Sequence, residues 1–190
     1  MMVFVDAWEA SVESCRLEVR RASSDDISDV ILVLDEAAQW LASLGVEQWP
    51  SRFELDWVSP SIDDGCTWLV RLDDRLAATL VLDWSDPIWE AIGGSAGYIH
   101  RLAVRRHAAG LGSHLLAWAA GEVFARDRRL LRLDCVASNR RLRGYYEAAG
   151  FQHRGDVQVG GVPGQRFDAA TRTLVSRYEA YTQDLQLGPR

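Results

Sequence analysis

The feature that most constrains this chain is a change of hydrophobic period within residues 98–124. Tyr98-Ile99-His100-Arg101-Leu102-Ala103-Val104 has the composition of a strand, whereas from Gly110 onward apolar residues recur at helical spacing. Leu111, Leu115, Ala119 and Val123 form one stripe with Leu116, Ala120 and Phe124 beside it, which predicts a helix packed on a core. Between strand and helix stand Arg105-Arg106-His107-Ala108-Ala109, and Gly110 and Gly112 open the helix. Such a junction is an anion site by construction. The first amides of a helix lack intrahelical partners and point along the positive end of its dipole, and glycines let a phosphate approach without a Cβ in the way. A glycine pair also serves plain capping and packing, so the junction alone does not choose between these uses.

The rest of the chain reads as alternating elements. Its 190 residues, 48% hydrophobic and 25% charged, suit one globular domain, expected over 15–182, with a flexible arm at 1–14 and a tail at 183–190. Residues 17–20 alternate as a strand. Ser23-Ser24-Asp25-Asp26 starts a helix carrying Ile27, Val30, Ile31, Leu34 and Ala38, which Gly45 ends. Gln48-Trp49-Pro50 opens a loop that runs to a short helix near 59–64. Residues 67–71 and 76–82 read as a hairpin across Asp73-Asp74. A strand at 130–136, a short helix at 139–149 stopped by Gly150, and strands at 151–159 and 173–178 follow, the last two separated by a Gly/Pro loop around 160–164. No repeat or linker divides the chain, and the alternation predicts an α/β (α+β) fold.

Charge and cysteine usage exclude several classes. The net charge of −6 argues against a nucleic-acid binder, which needs a basic surface. There is no lysine, so all 21 Lys/Arg positions are arginine; they concentrate between Arg101 and Arg143, while most acid lies in the first hundred residues. Cys15, Cys66 and Cys135 show no metal or disulfide spacing, and no metal is expected. Asp6 and Glu9 stand where a signal peptide is basic and apolar, and no apolar run is long enough to cross a bilayer. A cytoplasmic protein that contacts neither membrane nor nucleic acid is expected, with a homodimer left open.

A second stretch, SNRRLRGYYEAAGF, places Asn139 at a helix start and Tyr145-Tyr146 one turn before Gly150-Phe151. In this order and at this separation, the two stretches resemble the GNAT N-acetyltransferase superfamily. Its motif A, (Q/R)-x-x-G-x-(G/A), is matched by His107-Ala108-Ala109-Gly110-Leu111-Gly112. Its motif B, N-x-x-A-x-x-(F/L/Y)-Y-E-x-x-G-F, is matched by Asn139 through Phe151. The likeness covers residues 98 to about 159. Two departures are His107, where the family carries Arg or Gln, and a shortened turn between Val104 and Gly110.

The resemblance implies a GNAT fold: a mixed central sheet of about six to seven strands flanked by helices, splayed between strands 4 and 5. It implies acetyl-CoA as cosubstrate and transfer of its acetyl group to a primary amine, read here as that of a small molecule, in a ternary complex. Pantetheine would pair with backbone along Leu102, Ala103 and Val104. The amides from Ala108 through Ala109, Gly110, Leu111 and Gly112 to Ser113 would hold the diphosphate, with Arg105, Arg106 or His107 supplying charge. Asn139 and Arg140 or Arg141 would lie at the nucleotide end. Tyr146 matches the family's proton donor to sulfur, a phenol that stays protonated at neutral pH, while Tyr145 reads as a packed aromatic. Many relatives carry a strand glutamate as base; here His100 offers the titratable group, and an amide of Leu102 or Val104 the oxyanion donor. The acceptor side would hold Trp49, Trp84 and Tyr98, with Trp57, Trp89, Glu47, Glu54, Asp56, Asp83 and Asp86 nearby, a mixture suited to a small cation. Two other classes remain. A catalytically weak acyl-CoA sensor on the same fold keeps the site without turnover; a Rossmann or P-loop binder is disfavoured because no G-x-G-x-x-G or GK(S/T) opens a helix.

Overall fold

The computed structural model describes residues 7–12, 15–46, 48–160 and 172–185. In chain order the elements are β1 (Ala7–Val12), β2 (Cys15–Arg21), α1 (Ile27–Ser43), α2 (Leu55–Asp63), β3 (Thr67–Leu72), β4 (Arg75–Asp83), β5 (Ala96–Val104), α3 (Leu111–Phe124), β6 (Leu130–Val136), α4 (Arg140–Ala148), β7 (Gln152–Gly160), β8 (Arg172–Tyr181) and α5 (Thr182–Leu185). The strands form one mixed sheet in the order β1-β2-β3-β4-β5-β6-β8-β7. Neighbours are antiparallel except β5 and β6, whose parallel pairing follows from the crossover through α3.

The elements predicted from periodicity all form, and one more joins them. Residues 7–12, expected within a flexible arm, pair with β2 from Ala7↔Arg20 to Val12↔Cys15. The sheet therefore has eight strands rather than six or seven, and the predicted strands 4 and 5 are β5 and β6. A short edge strand takes its order from the neighbour it pairs with, so its own sequence carries little pattern. At the other end, the first residues of the expected tail fold as α5, with Leu185 buried against the α3 cluster. The Gly/Pro loop falls outside the described residues from 161 onward. Among the described residues no helix is long and apolar enough to cross a membrane.

Helices cover both faces of the sheet. On one, Leu115, Leu116, Ala119, Ala120 and Val123 of α3 pack on Leu80, Leu82, Ile99, Leu131 and Leu133. On the other, Val30, Val33, Leu34 and Ala38 of α1 with Val58 and Ile62 of α2 meet Leu69 and Ala103. Phe124, placed beside the apolar stripe by its spacing, instead ends α3 in solvent.

The site is positioned by a fork in the sheet. β5 and β6 pair from Ala96↔Leu130 to Ile99↔Leu133 and then part. Each stays bonded on its outer edge, β5 to β4 as far as Ala78↔Val104 and β6 to β8 as far as Val136↔Val175. At the fork β5 takes three steps, from His100 to Ala103, against two of β4, from Val81 to Thr79. The extra residue is a β-bulge, and Arg101 within it has φ 52°.

Gly97 sets how closely α3 approaches the closed part of the fork. A Cβ there would press on Val123 Cγ2 of α3. Gly97→Ala should therefore destabilise the protein by about 1–3 kcal/mol through overpacking. Thermal melts would read this as a drop of several degrees; an unchanged midpoint would show that α3 is not seated so closely.

Candidate active site

The fork opens into a cleft of about 760 Å³. One wall is the parted end of β5, from Arg101 to Val104, continuing through Arg105 and Arg106. The opposite wall is Asp134, Cys135 and Val136 of β6 with Asn139, Arg141, Leu142, Tyr145 and Tyr146 at and in α4. Ala109, Gly110, Gly112 and Ser113 close one end, while Trp40 and Leu41 of α1 and the following Gln48 and Trp49 close another.

The α3 end has the character its sequence predicted. Gly110 is the N-cap at φ 98°, which favours glycine, and a Cβ there would meet open space. A Cβ on Gly112 would lie 2.8 Å from the Tyr145 hydroxyl, so glycine there leaves room for that phenol in the cleft lining. Arg106 and Arg141 line the cleft, are exposed, and have no partner among the described residues. Arg105 is engaged elsewhere: Nε and Nη2 donate to Glu36 at 2.8 and 2.7 Å. Ala108 and Leu111 are buried in the core, and His107 is exposed outside the main cleft. Burial and the nearby Arg75 and Arg105 lower the His107 pKa, so it adds little positive charge at neutral pH.

On α4, Asn139 is the helix cap. Its Oδ1 accepts from the Leu142 amide at 3.1 Å, while Nδ2 donates to Gln48 Oε1 at 2.7 Å, tying the helix start to the loop after α1. Arg143 donates to the Tyr178 hydroxyl at 3.0 Å. The paired tyrosines differ in exposure. Tyr145 is 40% exposed, whereas Tyr146 is 7% exposed and packed against Phe151 and Tyr178. Tyr146 nevertheless lines the cleft, and its hydroxyl has no hydrogen-bond partner among the described residues. Burial, with Cys135 and Asp134 adding to it, holds the phenol well above the usual tyrosine range.

The apex of the fork gathers three ionisable groups. His100 Nε2 lies 3.7 Å from Asp86 Oδ2, and these two and Asp134 offer ligand atoms within 4.8 Å of one another. Among the described residues this is the one His/Cys/Asp/Glu grouping with metal-ligand spacing. Asp86 is fixed by capping the turn at Pro87–Trp89, its Oδ1 accepting from the Ile88 amide at 3.1 Å. The His100 Nδ1 is buried with no hydrogen-bond partner among the described residues. Of the three, Asp134 lines the cleft, and His100 and Asp86 are not among its described lining residues. Burial, with Asp86 close by, pushes the Asp134 carboxyl up to about 8. Beside it, burial and Asp134 push the Cys135 thiol up to about 12, leaving a poor nucleophile.

The expected acceptor residues divide. Trp49 lines the cleft, edge-on to Phe53. Trp84 and Tyr98 do not: Arg126 covers the Trp84 ring at 4.5 Å, and Tyr98 is buried beside Trp89. Trp89 is buried beneath Arg132, and Trp57 packs in the α1–α2 cluster. Glu54 and Asp56 are exposed outside the cleft, Asp83 binds the Trp84 amide, and Glu47 lies outside the described residues. Aromatic residues distant in sequence bury against whichever apolar face is nearest, so their composition could not place them. Asp134, Arg101 and Trp40 were missed; the fork brings the first two to the cleft and the packing of α1 brings the third, both tertiary features.

Comparisons with known proteins agree with this architecture. Residues 34–151 match the profile of the Acetyltransferase (GNAT) family. The chain is 30% identical over 142 residues to the uncharacterized N-acetyltransferase YesJ of Bacillus subtilis (strain 168), covering 69% of this chain and 79% of that protein. A GNAT-family acetyltransferase structure from Listeria monocytogenes 4b F2365 superposes with a TM-score of 0.68 at 22% identity, covering 91% of this chain and 99% of that one. An uncharacterized protein from Bacillus halodurans gives 0.69 at 14% identity, covering 95% and 93%. The chain belongs to the GNAT acetyltransferase family.

The Asp134 carboxyl makes stability depend on pH with a definite sign. In the unfolded chain it ionises near pH ~3.9, whereas in the fold it holds its proton up to about 8. Below both values the two states bind the same proton. As pH rises between them the unfolded state alone ionises, so stability falls. Asp134→Asn mimics the protonated form and should raise the melting temperature at pH 7–8 with no gain near pH ~4. A pH-independent difference between the two proteins would overturn this assignment.

Proposed function

We propose that the chain transfers the acetyl group of acetyl-CoA to the primary amine of a small molecule by direct attack in a ternary complex. The observation that carries this reading is the joining of two features in one cleft, a strand edge left unpaired among the described residues and an open helix N-terminus beside which Arg106 and Arg141 have no partner among those residues. A diphosphate fits the second and an extended amide-bearing arm the first. The residues therefore suit coenzyme A, which supplies an activated acetyl group when bound.

In this reading the amides of Gly110, Leu111, Gly112 and Ser113 bind the diphosphate, and Arg106 and Arg141 add charge. Leu102 and Val104 pair with the arm and aim the acetyl group at the apex; one of their amides faces the negative charge that develops on its oxygen. One of the two apex groups, His100 or Asp134 in its ionised form, accepts the first proton, given up by the acceptor's ammonium. The neutral nitrogen then bonds to the acetyl carbon while the carbon–sulfur bond breaks. Tyr146 Oη gives its proton to the departing sulfur and regains one from the newly acylated nitrogen, so the phenol emerges unchanged. Its raised pKa suits a donor that begins protonated. The raised Cys135 pKa weighs against an acyl-enzyme at the only cysteine lining the cleft among the described residues.

Tyr146→Phe should lower kcat by roughly 10²-fold or more while the calorimetric Kd for acetyl-CoA stays within a few-fold. Undiminished turnover would remove Tyr146 from the chemistry. Calorimetry detecting no affinity for coenzyme A or its acetyl ester would remove the whole reading. Binding without thiol release in the presence of any amine would favour the acyl-CoA sensor.

A further inference from the structure

Unlike Arg106 and Arg141, which are exposed, Arg101 stands in the cleft largely buried and without a partner among the described residues. Arg105 is bound to Glu36, Arg143 to Tyr178, and Arg132 to Glu179. The Arg101 guanidinium has no hydrogen bond, ion pair or ring contact among the described residues, although it lines the cleft. It is largely buried, and that burial alone shifts its pKa downward. An arginine does not escape this cost by losing its proton, so a desolvated guanidinium without a counter-ion is unfavourable until an anion arrives. Its backbone adds strain, since φ 52° lies in the left-handed region that favours glycine.

The position restricts which anion can arrive. Arg101 follows His100 at the apex and precedes Leu102 and Val104, the stretch read above as facing the neutral arm of coenzyme A. The phosphates belong farther along, at Gly110 and Gly112. The charge of the cleft points the same way: Arg101, Arg105, Arg106 and Arg141 line it against the single described carboxylate Asp134. Among the described residues, the aromatic and acidic pocket expected for a simple cation is not assembled there.

We infer that Arg101 is an anion subsite for the acceptor, and that the acceptor is a small amine bearing a carboxylate, its amine directed to Asp134 and its carboxylate to Arg101. This inference rests on the acetyl-transfer reading and deepens it.

The test compares β-alanine and γ-aminobutyrate with ethylamine and propylamine, the same chains without the carboxylate, in a thiol-release assay with acetyl-CoA. The expected result is a kcat/KM preference for the amino carboxylates on the order of 10²-fold. Arg101→Gln should abolish the preference through the acceptor KM, Arg101→Lys should keep part of it, and neither should change acetyl-CoA affinity. Equal turnover of the plain amines, or an Arg101→Gln defect confined to acetyl-CoA binding, would overturn the inference. Melting curves guard against a folding defect in either variant. Failure of the acetyl-transfer reading would show separately, as no thiol release with any of these amines. Calorimetric titration of CoA-saturated protein with γ-aminobutyrate would still read Arg101: binding lost in Arg101→Gln upholds the subsite, and equal binding, or none to the unaltered protein, refutes it.

Discussion

The parting of β5 from β6 after the Ile99–Leu133 rung is the constraint on which the site depends. It is a fork and not a frayed end, because β4 and β8 hold the outer edges along the whole parted length. Backbone groups on the inner edges therefore stay ordered without a strand to pair with, and buried polar backbone demands a partner. An extended ligand with its own amides meets that demand. The helix N-terminus at the mouth of the fork is equally a matter of topology. Parallel strands need a crossover, the crossover leaves from the end of β5, and α3 must begin where the cleft opens.

The closed end of the fork is held by guanidinium groups. Arg132 is buried, donating to Glu179 at 2.7 Å and to the Gly93 carbonyl at 2.6 Å, with its guanidinium 4.7 Å from the Trp89 ring centroid. Arg128 donates to the carbonyls of Trp84 and Ala96, fixing the start of β5. In a chain without lysine, the same residue type thus clamps one end of the fork and, as Arg101, Arg106 and Arg141, stands without a partner among the described residues at the other. What separates the roles is the supply of carbonyls and carboxylates around each head group. The planar fork of donors makes arginine suited to both.

Much of the fold was legible because it rests on local periodicity. The stripe Leu111, Leu115, Ala119, Val123, the hairpin turn at Asp73-Asp74 and the stop at Gly150 each announce an element within a few residues. Gly110, Gly112 and Tyr146 were legible by their spacing on a resembling motif, and all three line the cleft. Trp84 and Tyr98 were misplaced because composition says only that an aromatic will be buried, not against which face. Asp134 was hidden for the opposite reason. It sits in a buried strand, LLRLDCV, where a lone carboxylate carries no motif, and its proximity to His100 exists only once β5 and β6 are laid side by side. Arg101 was invisible as a site because the bulge that sets it apart appears only when β5 is registered against β4.

The charge balance of the cleft also bears on how an amine becomes reactive there. An ammonium entering among Arg101, Arg106 and Arg141 meets like charge, which lowers its pKa and favours the neutral nitrogen that attack requires. The same repulsion weakens binding of a simple cation, and a carboxylate on the acceptor offsets it by pairing with an arginine. In the proposed reaction, a carboxyl such as Asp134, pushed up to about 8 by burial, would stand close in pKa to the acceptor amine, so that the proton crosses a small gap. Burial of Asp134 and desolvation of Arg101 each cost folding energy. Both are intelligible together as parts of one site, completed when a ligand brings the opposite charges in.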